Sequence, residues 1–121
     1  MLIAIYLFLF SGGSFVILDY IEEKEDLVAI VVTDDVRKKS SLGITKKMTS
    51  RAKEFQKQRS ASKKQAKKLI KKNADVEAID GVISTHFEQY KQYNAEMLDL
   101  RFELKEQITK KEWQAIFVVS K

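Results

Sequence analysis

Beyond Gly43 the chain contains one further glycine, Gly81, and it contains no proline anywhere. Those two residue types end helices and make the tight turns of β-hairpins, so a chain without them runs in long helices joined by few connections. The only run with strand-like composition is LVAIVV at residues 27–32. It lacks a second strand to pair with, and periodicity alone does not separate a short apolar strand from a helix. We read it as helical, continuing from Asp19, with Thr33 or Asp34 opening a turn or a fresh N-cap. A strand there is the alternative. The fold class expected is all-α.

Residues 1–18, MLIAIYLFLFSGGSFVIL, carry no charged side chain. As a helix they would rise about 27 Å, close to the roughly 30 Å hydrocarbon core of a bilayer. A cleaved secretory signal and a buried segment are the competing readings. No Lys or Arg precedes Lys24, and the small residues Ser11 to Ser14 are followed by more apolar chain. A cleaved signal normally shows a basic start and a small-residue cleavage site before the mature domain. The expectation is therefore an N-terminal transmembrane helix, a retained anchor, at residues 1–18. A juxtamembrane segment and linker would occupy 19–44, and a helical hairpin domain 45–121. This places the protein in the inner or plasma membrane. Lys24, Arg37 and Lys38 after the anchor favour a cytoplasmic C-terminus by the positive-inside rule, but an apolar N-terminal segment ahead of a globular part commonly exports that part. The balance favours an extracytoplasmic, periplasmic domain.

Within the hairpin, residues 40–45 (SSLGIT) read as the most loop-like stretch, with Thr45 able to cap the basic helix that begins at Lys46. From 46 to 72 the composition favours helix, and Met48, Ala52, Phe55, Ser62, Ala66 and Leu69 fall on one narrow seam. Asn73, Ala74 and Asp75 suit a helix end, a turn and a new N-cap, with a helix continuous through this point as the alternative, since neither Asn73 nor Asp75 forces a break. The next helix, about 75–107, carries a richer stripe that includes Val76, Ile79, Ile83, Phe87, Tyr90, Met97, Leu104 and Ile108, widened by Val82, Leu98, Leu100 and Phe102. Thr109 and Glu112 have the spacing of a capping box, flanked by Ile108 and Trp113 as a hydrophobic staple. The full expectation is an antiparallel helical hairpin closed by a short C-terminal helix, with self-association through the stripe as a homo-oligomer.

Charge is segregated. Residues 37–72 carry fifteen lysines and arginines against Glu54 alone, while residues 1–36 carry seven acids and one lysine. Lys63, Lys64, Lys67, Lys68, Lys71 and Lys72 form doublets repeating every four residues, which places a broad positive stripe on one side of a helix and makes these six the candidate binding residues for an anionic partner. An acidic protein or an anionic lipid surface fits it. Nucleic acid is disfavoured, because Phe55 is the one aromatic in the segment and no stacking platform accompanies it. A simply solvated face is the plainer alternative. Glu96, Asp99, Glu103 and Glu106 share a second, acidic face, solvated or set beside the basic helix. His86 is the single histidine and there is no cysteine. No Gly-rich phosphate loop, nucleophile elbow or zinc motif appears. We expect no catalytic residues, no cofactor and no metal, and no enzyme.

Residues 97–117, MLDLRFELKEQITKKEWQAIF, place a long helix ending ahead of a threonine-led turn that opens a short helix with Glu and Trp. In that layout the stretch resembles small exported helical proteins of bacteria, the periplasmic stress chaperones of the CpxP and Spy type. The resemblance implies an all-helical hairpin with a surface for client or sensor contacts, and it carries over no individual binding residue. The function expected is a membrane-anchored, extracytoplasmic helical binding or accessory protein, chaperone-like or regulatory. The alternative is a cytoplasm-facing basic helical module that binds anionic lipid or nucleic acid without sequence selection.

Overall fold

The computed structural model describes residues 16–118, and every regular element among them is an α-helix. Helix α1 spans Val16–Val31, α2 Asp35–Lys71, α3 Val76–Gln107 and α4 Lys110–Phe117. Helices α2 and α3 form the antiparallel hairpin. Helix α1 packs against the N-terminal half of α2 and against α4.

Each break between helices has a local chemical cause. Asp34 caps α2, its carboxylate accepting from the Arg37 N–H at 2.8 Å. At the hairpin turn Asn73 takes a left-handed φ of 54°, which asparagine tolerates better than most side chains. The Asn73 N–H donates to the Ile70 carbonyl and the Ala74 N–H to the Leu69 carbonyl, the two bonds of a Schellman motif. Asp75 then caps α3 by accepting from the Ala78 N–H at 3.0 Å. The capping box at α4 is complete: Glu112 N–H donates to Thr109 Oγ1 at 3.1 Å, and Thr109 N–H donates to Glu112 Oε1 at 2.8 Å.

The N-terminal transmembrane helix does not stand. Residues 1–15, where most of that segment falls, lie outside the described residues. The part that is described belongs to α1, whose continuation carries Asp19, Glu22, Glu23, Lys24, Glu25 and Asp26. Ile17 and Leu18 pack against the core cluster, on the same amphipathic helix that buries Ile21, Val28 and Val32. Their apolar surface is used for packing between helices. No helix among the described residues is long and apolar enough to cross a membrane.

Two further differences concern α2 and α3. Residues 40–45 are not a loop, because α2 runs unbroken through them. Ser41, Ile44 and Thr45 are buried there, and Thr45 Oγ1 lies 2.9 Å from Glu25 Oε2 of α1. Contact with α1 overrides the weak helix preference of Ser-Ser-Leu-Gly, and a Cβ on the outward-facing Gly43 would meet nothing. In α3 the buried line is Ile79, Ile83, His86, Tyr93 and Leu104, while Val76, Phe87, Tyr90, Leu98 and Phe102 are exposed. Ile79, Ile83 and Leu104 of the expected stripe are thus buried, while His86 and Tyr93 complete the seam in place of Phe87 and Tyr90.

The core has three parts. The largest joins Ile21, Ile44, Met48, Ala52, Phe55, Tyr93 and Leu104 at the open end of the hairpin. A second, formed by Val28, Val32, Ile108 and Ile116, docks α4 onto α1. Near the turn only Ala66, Ile79 and Ile83 are buried together. Lys24 Nζ donates to the Ile116 carbonyl at 2.9 Å, placing a cation at the negative end of α4.

Candidate binding surface

The arginines and lysines of α2 are sorted by direction. Arg37, Arg51 and Arg59 are all partly buried, whereas Lys39, Lys46, Lys53, Lys57, Lys64, Lys67, Lys68 and Lys71 are all exposed. Arg37 and Arg51 serve the fold. Arg37 forms a fork with Glu112 of α4, at 2.5 Å to Oε1 and 3.1 Å to Oε2. Arg51 pairs with Glu96 of α3 and lies 5.6 Å from the Tyr93 ring. A planar guanidinium suits such two-toothed and stacked contacts, and a lysine ammonium does not.

Of the six residues singled out from the sequence, Lys64, Lys67, Lys68 and Lys71 share the outward side of α2. Lys63 is half-buried at the flank of the seam, and Lys72 sits at the C-cap, its N–H donating to the Lys68 carbonyl at 3.1 Å. The side chains of the four on the outward side make no hydrogen bond or ion pair with the described residues. Their charge is open to solvent and to any anion that approaches.

The acidic residues of α3 do not act as one group. Glu96 turns to Arg51, while Asp99, Glu103 and Glu106 remain exposed. Among the described residues no three His, Cys, Asp or Glu side chains converge on a possible metal position. His86, the single histidine, sits in the seam and stacks on Phe55 at 5.8 Å between ring centroids. Burial, with the nearby Arg59 charge, pushes its pKa down from the ordinary imidazole value. A lone His flanked by Val82, Ile83 and Tyr90 was the available signal for this role.

The Arg37–Glu112 fork has a consequence in acid. The Glu112 carboxyl is held at about 2, first by the hydrogen bond from Arg37 and further by the Thr109 backbone, against the opposing effect of burial. Its value in the unfolded chain is about 4.3. The stabilisation is complete above that unfolded value and is lost as pH falls through the window down to the folded one. Unfolding monitored by circular dichroism should show a steep loss across this window. Glu112→Gln retains a side chain that can close the capping box and should flatten the slope there. An unchanged slope would assign the acid sensitivity to other carboxylates.

Neither a protein-family model, nor a curated protein, nor a solved structure matches the chain. The likeness of residues 97–117 to the periplasmic chaperones therefore rests on the pattern of those residues alone.

Proposed function

We propose that this protein is a non-enzymatic helical binding or accessory protein that holds an anionic partner on the lysine face of α2. The observation that carries the reading is the division of labour among the cations of that helix. The arginines, whose geometry suits specific pairing, are partly buried against the bundle, while most of the lysines stand outside it, and those on the outward face form no ion pair with a described acidic residue. Fold stability gives no reason to gather so many like charges, since like charges three and four residues apart on a helix repel. A partner that supplies negative charge relieves that repulsion.

The test uses two variants with equal charge removal. Lys64, Lys67, Lys68 and Lys71 changed together to Gln should leave helix content intact, because Gln and Lys have similar helix propensities. This variant should elute from immobilised phosphate at much lower salt than the wild type. Changing Lys47, Lys91, Lys110 and Lys111 to Gln removes the same charge from other exposed positions and should shift elution far less. Equal shifts in the two variants would reduce the lysine face to general surface charge and overturn the reading.

A further inference from the structure

The continuity of α2 through residues 40–45 makes the lysine face much longer than its sequence doublets indicate. At about 100° per residue, Lys39, Lys46, Lys53, Lys57, Lys64, Lys68 and Lys71 fall within an arc of roughly 60°. Of the eight buried residues of the same helix, Ser41, Ile44, Met48, Phe55, Ser62 and Ala66 lie on the opposite side, with Ala52 and Thr45 toward its flank. From Lys39 to Lys71 the row extends about 48 Å at ~1.5 Å per residue. All seven lysines are exposed, and none pairs with a described acidic residue. Only Asp35 shares the arc, beyond the N-terminal end of the row, and Glu54 sits beside it, 3.7 Å from Arg51.

We infer that this ridge docks the protein lengthwise on a planar anionic phospholipid surface. The inference rests on the reading of the lysine face as an anion-binding surface and names its partner. A straight row of charges on a rod meets a plane along its whole length. A nucleic-acid duplex winds away from such a rod, so it would engage a few lysines at a crossing. The arc carries no Arg, Asn or Gln to read base edges and no aromatic ring to stack on a base, the groups that nucleic-acid recognition uses. Lysine is a compact point charge on a flexible four-carbon stem, suited to diffuse headgroup charge, and the stem absorbs the gentle curvature that long helices show. With no large apolar side chain in the arc, adsorption is electrostatic and peripheral. It depends on the anionic fraction and falls with salt, since charges are screened beyond roughly 8 Å at physiological ionic strength.

The experiment is co-sedimentation with vesicles of phosphatidylcholine containing about one third phosphatidylglycerol, using the full chain and two triple variants. One carries Lys39, Lys46 and Lys53 changed to Gln, the other Lys64, Lys68 and Lys71. Each lysine near an anionic surface contributes about fivefold to partitioning, so each variant should lose about a hundredfold. Binding should vanish on pure phosphatidylcholine. Circular dichroism confirms that both variants keep their helix content. If only the second variant loses binding, the partner touches the hairpin end alone: the lengthwise ridge falls, and the anion-binding reading survives. If vesicles do not bind while elution from phosphate still depends on Lys64 to Lys71, the lipid partner falls and the anion-binding reading again survives. Tighter binding of the wild type to duplex DNA of matching length, equally sensitive to both variants, would assign the ridge to nucleic acid and overturn the lipid partner.

Discussion

Leu104→Ala should destabilise the protein by about 2–5 kcal/mol, while Leu98→Ala and Phe102→Ala, close by on the same helix, should each change stability by about 0.5 kcal/mol or less. The contrast comes from exposure. Leu104 is 0% exposed within the main core, whereas Leu98 is 52% and Phe102 54% exposed. Deleting a fully enclosed side chain removes its transfer energy and leaves a cavity that close-packed neighbours fill only in part. The half-buried Trp113 and Phe117 of α4 pack against the same core cluster. Loss at Leu104 should therefore also loosen the docking of the last helix. Urea unfolding of the three variants measures this directly. Similar costs at all three positions would mean that the seam of α3 runs along the exposed stripe.

That contrast also marks where the sequence stops being informative. Turns and caps are legible because they depend on hydrogen bonds within a few residues. Asn73, Asp75, Thr109 and Glu112 perform the local roles that their chemistry suggests. The seam of α2 is legible for a related reason: Met48, Ala52, Phe55, Ser62 and Ala66 are spaced for one face and are buried on it. The phase of α3 is not, because it has more apolar residues than one contact can cover, and the partner helix selects among them. Phe87 and Leu98 are left outside while His86 and Tyr93 are taken in. The run of helix through residues 40–45 depends on α1, whose packing no local pattern announces. For the same reason the lysine doublets at 63–72 are visible in the sequence, but their alignment with Lys39, Lys46 and Lys53 is not. The apolar character of Ile17 and Leu18 is a case of correct hydropathy assigned to the wrong solvent. Their surface is covered in part by the core cluster they pack against.

Phe55→Ala should cost about 3–5 kcal/mol and should uncouple the two ends of the hairpin. Phe55 is 6% exposed and lies against Tyr93 with ring centroids 4.4 Å apart and planes 9° from parallel. His86 and Tyr90 approach it at 5.8 and 5.9 Å. Toward the turn, α2 offers the buried seam only Ser62 and Ala66, with the half-buried Leu69 beyond them. Phe55 is thus the last large side chain of α2 that is buried in the seam before the thinly packed end. Without it, that end retains only the cluster of Ala66, Ile79 and Ile83, too little burial to hold two helices together in isolation. Native-state hydrogen exchange should then show amides after residue 55 in α2 and before residue 86 in α3 opening at lower free energy than those around Met48 and Leu104. Phe55→Leu, which keeps most of the apolar volume, should retain the greater part of both stability and protection. Uniform exchange along the hairpin of the alanine variant would mean that the hairpin unfolds as one unit, with no boundary at Phe55.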